Sequence, residues 1–180
     1  MNQPKPEQLF DVLSWVSRQK AESDTPLMNH KMLWRDSFIV MLFNGATPKD
    51  RSDYHINAAG ELFYQLEGEM RCRLVESDGR ITHHVVGPGE IFYIPPFQPH
   101  LNQREEGSTG IVIHQQRPEG ALDGMMWMCD ECAHPLHRVD YEFTELKENL
   151  SLHIRAFLAS EELRTCDACQ AVFPADQGYL

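Results

Sequence analysis

Residues 62–95 read LFYQLEGEMRCRLVESDGRITHHVVGPGEIFYIP. The apolar residues are β-branched and aromatic, come in short runs, and stop at Gly, Pro, Asp and Asn. Gly68-Glu69 and Asp78-Gly79 read as hairpin turns between the runs. Outside this stretch, SFIVMLFN (37–44) and TGIVIHQQ (109–116) carry the same signature. Regular short strands separated by turn signals predict an all-β sandwich or barrel, with its core at about 35–117.

The flanks read differently. Residues 6–19 place Leu9, Phe10, Leu13 and Val16 at helical spacing, which predicts an amphipathic N-terminal helix packed on the main body. Residues 20–31 are polar and read as a loop. Residues 117–136 lose the alternation, 138–147 alternate like another strand, and 149–163 read as a helix. The expected organisation is one domain: an N-terminal helix and loop (1–34), the barrel core (35–117) and a C-terminal segment packed on it (118–180). Within the core, Cys72 reads as a small buried residue. His83 and His84, being adjacent, face opposite sides.

The chain has 180 residues, 42% of them hydrophobic, enough for a core without disulfides. Its 16 Lys and Arg against 27 Asp and Glu give a net charge of −11. That balance argues against a nucleic-acid surface and against anionic membranes. No apolar run approaches the ~20 residues of a membrane span. MNQPKPEQLF at the start lacks the charged-then-apolar pattern of a signal peptide. The expectation is a cytoplasmic protein with neither nucleic acid nor membrane as partner.

Four of the five cysteines form two CxxC pairs, Cys129/Cys132 and Cys166/Cys169. Each pair puts two sulfurs at one turn, and two turns supply four thiolates for a tetrahedral ion. Zinc and a single iron both suit that set. Unrelated thiols or two redox pairs are the other readings of the same spacing. A closed four-sulfur site leaves no open position, so its expected role is structural, tying the chain end to a segment well before it. His134 and His137, near the first pair, are expected to lie beside the thiolates or on the surface.

Two further segments carry donors. His55-Ile-Asn57 is followed by Glu61 and Gly68, and Gly89 is followed by Pro95, Phe97 and His100. These resemble the two cupin motifs, G-x5-H-x-H-x3–4-E-x6-G and G-x5-P-x-G-x2-H. Asn57 stands where many cupins have a second His, and Phe97 where the second motif often has Gly. The resemblance implies a double-stranded β-helix (jelly-roll) barrel with a short N-terminal helix and a metal-clipped C-terminal segment. Its metal would be held by His55, Glu61 and His100. Two imidazoles and a carboxylate form a facial triad with three positions open, as in non-haem Fe(II) oxygenases.

From about residue 37 to 174 the chain resembles the bacterial 3-hydroxyanthranilate 3,4-dioxygenases. The resemblance is carried by RSDYH (51–55), ELFYQLEG (61–68), GPGEIFYIPP (87–96), QRPEG (116–120), LDG (122–124) and both CxxC pairs. It implies an enzyme that opens an aromatic ring with O2 on Fe(II) at His55, Glu61 and His100. It also implies a second iron, rubredoxin-like, or zinc at the four cysteines, and a homodimer. Arg51 and Arg104 match family arginines that would clamp the carboxylate of a small aromatic substrate. The family has a glutamate beside the substrate's amino and hydroxyl groups, and here that position is His114. A carboxylate only accepts hydrogen bonds, whereas a neutral imidazole donates one and accepts one. His114 is therefore expected to bind substrate and act as its base, or to mark a related dioxygenase with altered specificity. A non-oxidative metal- or ligand-binding cupin is the third reading.

Overall fold

The computed structural model describes residues 9–22, 29–48, 51–144 and 146–175. In chain order its elements are α1 (Val12–Glu22), β1 (Asn29–Arg35), β2 (Phe38–Asn44), β3 (Tyr54–Ile56), β4 (Glu61–Glu67), β5 (Met70–Val75), β6 (Ile81–Val86), β7 (Ile91–Ile94), β8 (His100–Arg104), β9 (Thr109–Gln115), β10 (Asp123–Met128), β11 (Pro135–Tyr141), α2 (Leu146–Ala159) and α3 (Glu161–Arg164). The strands form two sheets, β1-β2-β9-β4-β7 and β11-β10-β3-β8-β5-β6, with antiparallel pairing throughout. This is the expected all-β jelly roll.

Strand parity assigns the inner wall, because directly paired residues face the same side. In the first sheet one row runs Ile39, His114, Glu61, Ile94. The next is Met41, Val112, Phe63, Phe92, and the third is Phe43, Gly110, Gln65. In the second sheet His55, His100 and Leu74 share a row, and Arg104, Met70 and Val86 share another. The apolar members close into one core cluster of Ile39, Met41, Phe63, Met70, Cys72, Val86, Ile94 and Val112. Cys72 is among them, as expected, and burial pushes its thiol up to about 12. His83 is exposed and His84 half-buried against Phe92.

The turns follow the sequence. Gly68 and Gly79 both have positive φ. So does Phe97, at 62°. The motif position where cupins often carry Gly thus keeps the glycine-type backbone, with a side chain that favours it less.

Four strands, β1, β3, β8 and β10, were not legible in the sequence, β3 being only three residues long. β10 (DGMMWM) is buried at all six positions. Met126 and Met128 pack with Tyr54, Ile56 and Leu101 on one face. Met125 and Trp127 pack with Ile154 and Phe157 of α2 on the other. With both faces covered, no apolar–polar alternation is left to read. β8 (HLNQR) is polar because it faces a polar part of the interior. β1 falls partly within the expected loop of 20–31, as an edge strand of mixed polarity; residues 23–28 of that loop lie outside the described residues. The expected strand at 138–147 is β11, which begins earlier, at Pro135.

The N-terminal helix forms, though residues 6–8 of its expected span lie outside the described residues. Asp11 caps it through Ser14 N–H at 3.0 Å. Its buried face is Trp15 and Val16 with Phe10 and Val12, packed on Leu42 of β2. Leu9 and Leu13, expected on that face, are exposed instead. Trp15 has the larger apolar surface, and its burial turns the helix accordingly.

The QRP and LDG segments prove structural. Arg117 makes a forked pair with Asp123, Nε to Oδ1 at 2.9 Å and Nη2 to Oδ2 at 2.6 Å. Its guanidinium stacks on Phe143 at 3.9 Å. Asp123 also accepts the Ala58 N–H, which pins the turn before Glu61. Asp123→Ala leaves a half-buried guanidinium unpaired and should lower the unfolding free energy by roughly 3–5 kcal/mol. Urea titration of both proteins measures it; a loss below 1 kcal/mol would contradict this role.

Candidate active site and four-cysteine cluster

Register brings the donors together. β3 pairs β8 at His55 and His100, whose rings lie 6.0 Å apart between centroids. β4 pairs β9 at Glu61 and His114. Glu61, His100 and His114 are 4%, 3% and 5% exposed, so water does little to compensate them. His100 Nδ1 donates to the Gln98 carbonyl at 2.9 Å, so in the neutral imidazole the lone pair falls on Nε2. That Nε2 lies 2.9 Å from Glu61 Oε2. Oε2 has no hydrogen-bond partner, nor does either ring nitrogen of His114, whose Nδ1 is 3.2 Å from Glu61 Oε1.

With a neutral imidazole, the Nε2 lone pair would face the carboxylate, and a shared cation would remove the repulsion. The donor set therefore fits a metal, with two imidazoles and one carboxylate. Burial pushes the Glu61 carboxyl up, but His100 and His114 pull it further down, to about 2. It is a carboxylate at any physiological pH. Burial lowers the His114 pKa, and the Arg117 charge adds to this against the opposing pull of Glu61.

His55 is held from the side. Its Nε2 is 2.8 Å from Asp53 Oδ2 and also contacts the Arg51 guanidinium. Asp53, 1% exposed, receives Arg51 in a fork at 3.1 and 3.0 Å. Burial opposes its charge, but Arg51 and His55 outweigh that and hold its carboxyl far below the ordinary range. Sequence reasoning missed Asp53. Its signal was parity, since residues 53 and 55 lie two apart on one strand run. Arg104, across the interior, is 6% exposed, with its guanidinium 5.5 Å from the Phe43 ring. Burial and the Arg51 charge lower its pKa to about 10, so it stays protonated.

The four cysteines converge. Cys129 and Cys169 sulfurs are 3.6 Å apart, as are those of Cys132 and Cys166. All four lie within 4.8 Å of one another. A disulfide needs about 2.05 Å. A tetrahedron with metal–sulfur bonds of about 2.3 Å has sulfurs about 3.8 Å apart. The spacing therefore matches a metal site and excludes redox pairs closed as disulfides. Among the described residues this is the cluster of three or more metal-ligating side chains gathered so tightly; His55, Glu61 and His100 are not, and Asp53 and Arg51 lie against His55.

Both CxxC turns are built alike. Ala133 N–H returns to Cys129 O at 2.9 Å, and Gln170 N–H to Cys166 O at 2.8 Å. Ala133 and Gln170 have φ of 56° and 63°. Burial opposes ionisation of Cys166, but N–H groups of Cys169 and Ala168 overcome it and bring the thiol to about 6. His134 is exposed, as expected, whereas His137 is half-buried and stacks on Trp127. A separate cavity of about 320 Å³ lies between β3 and this segment, lined by Arg51, Tyr54, Arg73 and Cys129 rather than by Glu61 or His100.

A jelly-roll barrel with a His/Glu donor set on its inner wall is a cupin of the metal-dependent oxygenase kind. The model of the 3-hydroxyanthranilic acid dioxygenase family matches residues 6–158. The chain belongs to that family and is a ring-cleaving dioxygenase. It is similar to 3-hydroxyanthranilate 3,4-dioxygenases of Burkholderia cenocepacia, 39% identical over 94% of each chain, and of Bacillus thuringiensis, 33% identical over 95% of this chain and 94% of that one. Among solved structures, a mutant of Bacillus subtilis oxalate decarboxylase overlaps 49% of this chain and 25% of its own, with 21% identity and a TM-score of 0.40.

A Cys129→Ser variant should bind less metal at the cluster and melt at least about 4 °C lower, the size of a loss of about 1–2 kcal/mol in a chain of this length. Elemental analysis and a thermal melt check both. Ala133→Gly relieves the left-handed backbone and should keep its metal while melting no lower. A Cys129→Ser protein with wild-type melting would refute a structural role.

Proposed function

We propose that this enzyme opens the ring of 3-hydroxyanthranilate, or of a closely related ortho-amino or ortho-hydroxy aromatic carboxylate, with O2 on Fe(II) held by His55, Glu61 and His100. The observation that carries this reading is His100 Nε2 set 2.9 Å from Glu61 Oε2 inside the barrel, both residues almost fully buried. The relatives named for this reaction support the choice of substrate. Bound iron would orient the substrate's heteroatom pair and O2 and carry electron density between them. The chain's residues do the rest. Arg104 and Arg51 meet the carboxylate in an interior that excludes water, where an ion pair is strongest. His114 Nε2 accepts the substrate hydroxyl proton.

The second reading is a related dioxygenase with altered specificity. It is favoured by His114, whose two ring nitrogens have no hydrogen-bond partner where the family has a carboxylate. We assign a structural iron or zinc to the four cysteines. We also read residues 35–117 and 118–180 as one folding unit with the N-terminal helix, in a cytoplasmic homodimer. Exposed Ile91 and Tyr93 on the edge strand β7, with Ile113 and Phe38 on the same sheet, support a covered face.

The test is O2 uptake by anaerobically Fe(II)-loaded protein given 3-hydroxyanthranilate. Uptake with matching loss of aromatic absorbance is expected, falling at least 100-fold in His55→Ala, the usual scale for a lost metal ligand or its support. If His114 serves the native substrate, His114→Glu should not improve kcat/KM. A tenfold gain on 3-hydroxyanthranilate in His114→Glu would favour altered specificity. No uptake with this or any ortho-aminophenol or catechol acid would refute the proposal.

A further inference from the structure

Arg104 is a buried cation with an unusual partner. No salt bridge holds it among the described residues, and its Nη1 donates to the side-chain carbonyl of Gln65 at 2.9 Å. Gln65 is itself fixed, being 1% exposed. Its Nε2 donates to Glu67 O at 2.7 Å, Gly68 O at 3.3 Å and Ser108 Oγ at 2.8 Å. The two carbonyls can only accept, so the amide nitrogen must face them and the amide oxygen must face Arg104. The residue paired with Gln65 across the strands is Gly110. A Cβ there would lie 2.8 Å from Gln65 Oε1 and 2.9 Å from Arg104 Nη1. It would also lie 3.3 Å from the Tyr64 carbonyl oxygen of β4, so an added methyl would displace the Gln65 and Arg104 ends and press lightly on the strand.

We propose that Gln65 and Gly110 are positioning residues that set the enzyme's preference for a carboxylate-bearing substrate. The neutral amide holds Arg104 by one N–H without cancelling its charge. The absent side chain at 110 leaves the guanidinium room to lie where it does. A buried, uncompensated cation then has one favourable partner to gain, the carboxylate of the incoming ligand. A glutamate at 65 would neutralise Arg104 in advance. The inference rests on the reading that the substrate is an aromatic carboxylate held by Arg104.

The experiment compares full-length Fe(II)-loaded wild type, Gly110→Ala and Gln65→Glu. It reads KM and kcat for 3-hydroxyanthranilate, and the inhibition constant of 2-aminophenol, which keeps the ortho pair but lacks the carboxylate. KM is expected to rise at least tenfold in both variants, more than kcat falls, with 2-aminophenol binding changed less than threefold. Equal weakening of both ligands, or an unchanged KM in Gly110→Ala, overturns the inference. Gly110→Ala decides alone if Gln65→Glu does not fold. A wild type that turns over nothing counts against the proposed reaction and not against this inference. Calorimetric binding of 2-aminobenzoate then decides, with tenfold weakening in Gly110→Ala expected and equal affinity overturning it.

Discussion

Glu61 and His100 set the terms for the rest of the barrel. A carboxylate and an imidazole nitrogen, both almost fully buried, stand 2.9 Å apart. Such a pair suits a place where a cation belongs, because the desolvation cost of a buried charge is several kcal/mol. The scaffold holds the pair in place from behind. Gln98 O fixes the His100 tautomer, the Glu61 strand is paired on both sides, and the Arg117–Asp123 fork anchors the turn before Glu61. Stability far from the donors is thus spent on their aim.

The interior is arranged in rows with different chemistry. The row at Glu61 and His114 is ionic, the row at Phe63 and Val112 is apolar, and the row at Gln65 and Gly110 meets Arg104. Period-two strands deliver this arrangement, since residues 61, 63 and 65 share one side. An aromatic acid has the same sequence of parts: a polar heteroatom pair, a flat hydrocarbon ring and an anionic group.

Much of this was legible in the sequence. The β-branched runs, the two hairpin glycines, the cupin-type spacing of His55, Glu61 and His100, and the CxxC pairs could all be read, because each rests on local spacing. β10 could not, since burial on both faces erases alternation. β8 could not, since its inward residues are polar for a reason that lies on other strands. Leu9 and Leu13 misled because helical spacing does not say which of several apolar residues wins the packing, and Trp15 did. Asp53 and Gln65 escaped notice because a lone polar residue in a strand is ordinarily solvent-facing, and only the three-dimensional partner makes it otherwise.

β10 also joins two parts of the molecule that seem separate. Its Met125 pairs with His55, and the strand ends one residue before Cys129. The intervening arm is some four residues, about 13 Å of extended chain. It is clamped on both faces and cannot bend without opening two cores. The cysteine cluster therefore sits at one end of this arm, which carries a register shift at Trp127/Met128, and the β3 strand lies at the other. The pairing of Met125 with His55 thus sets the imidazole, which Asp53 and Arg51 touch, four residues of chain from the first cluster cysteine.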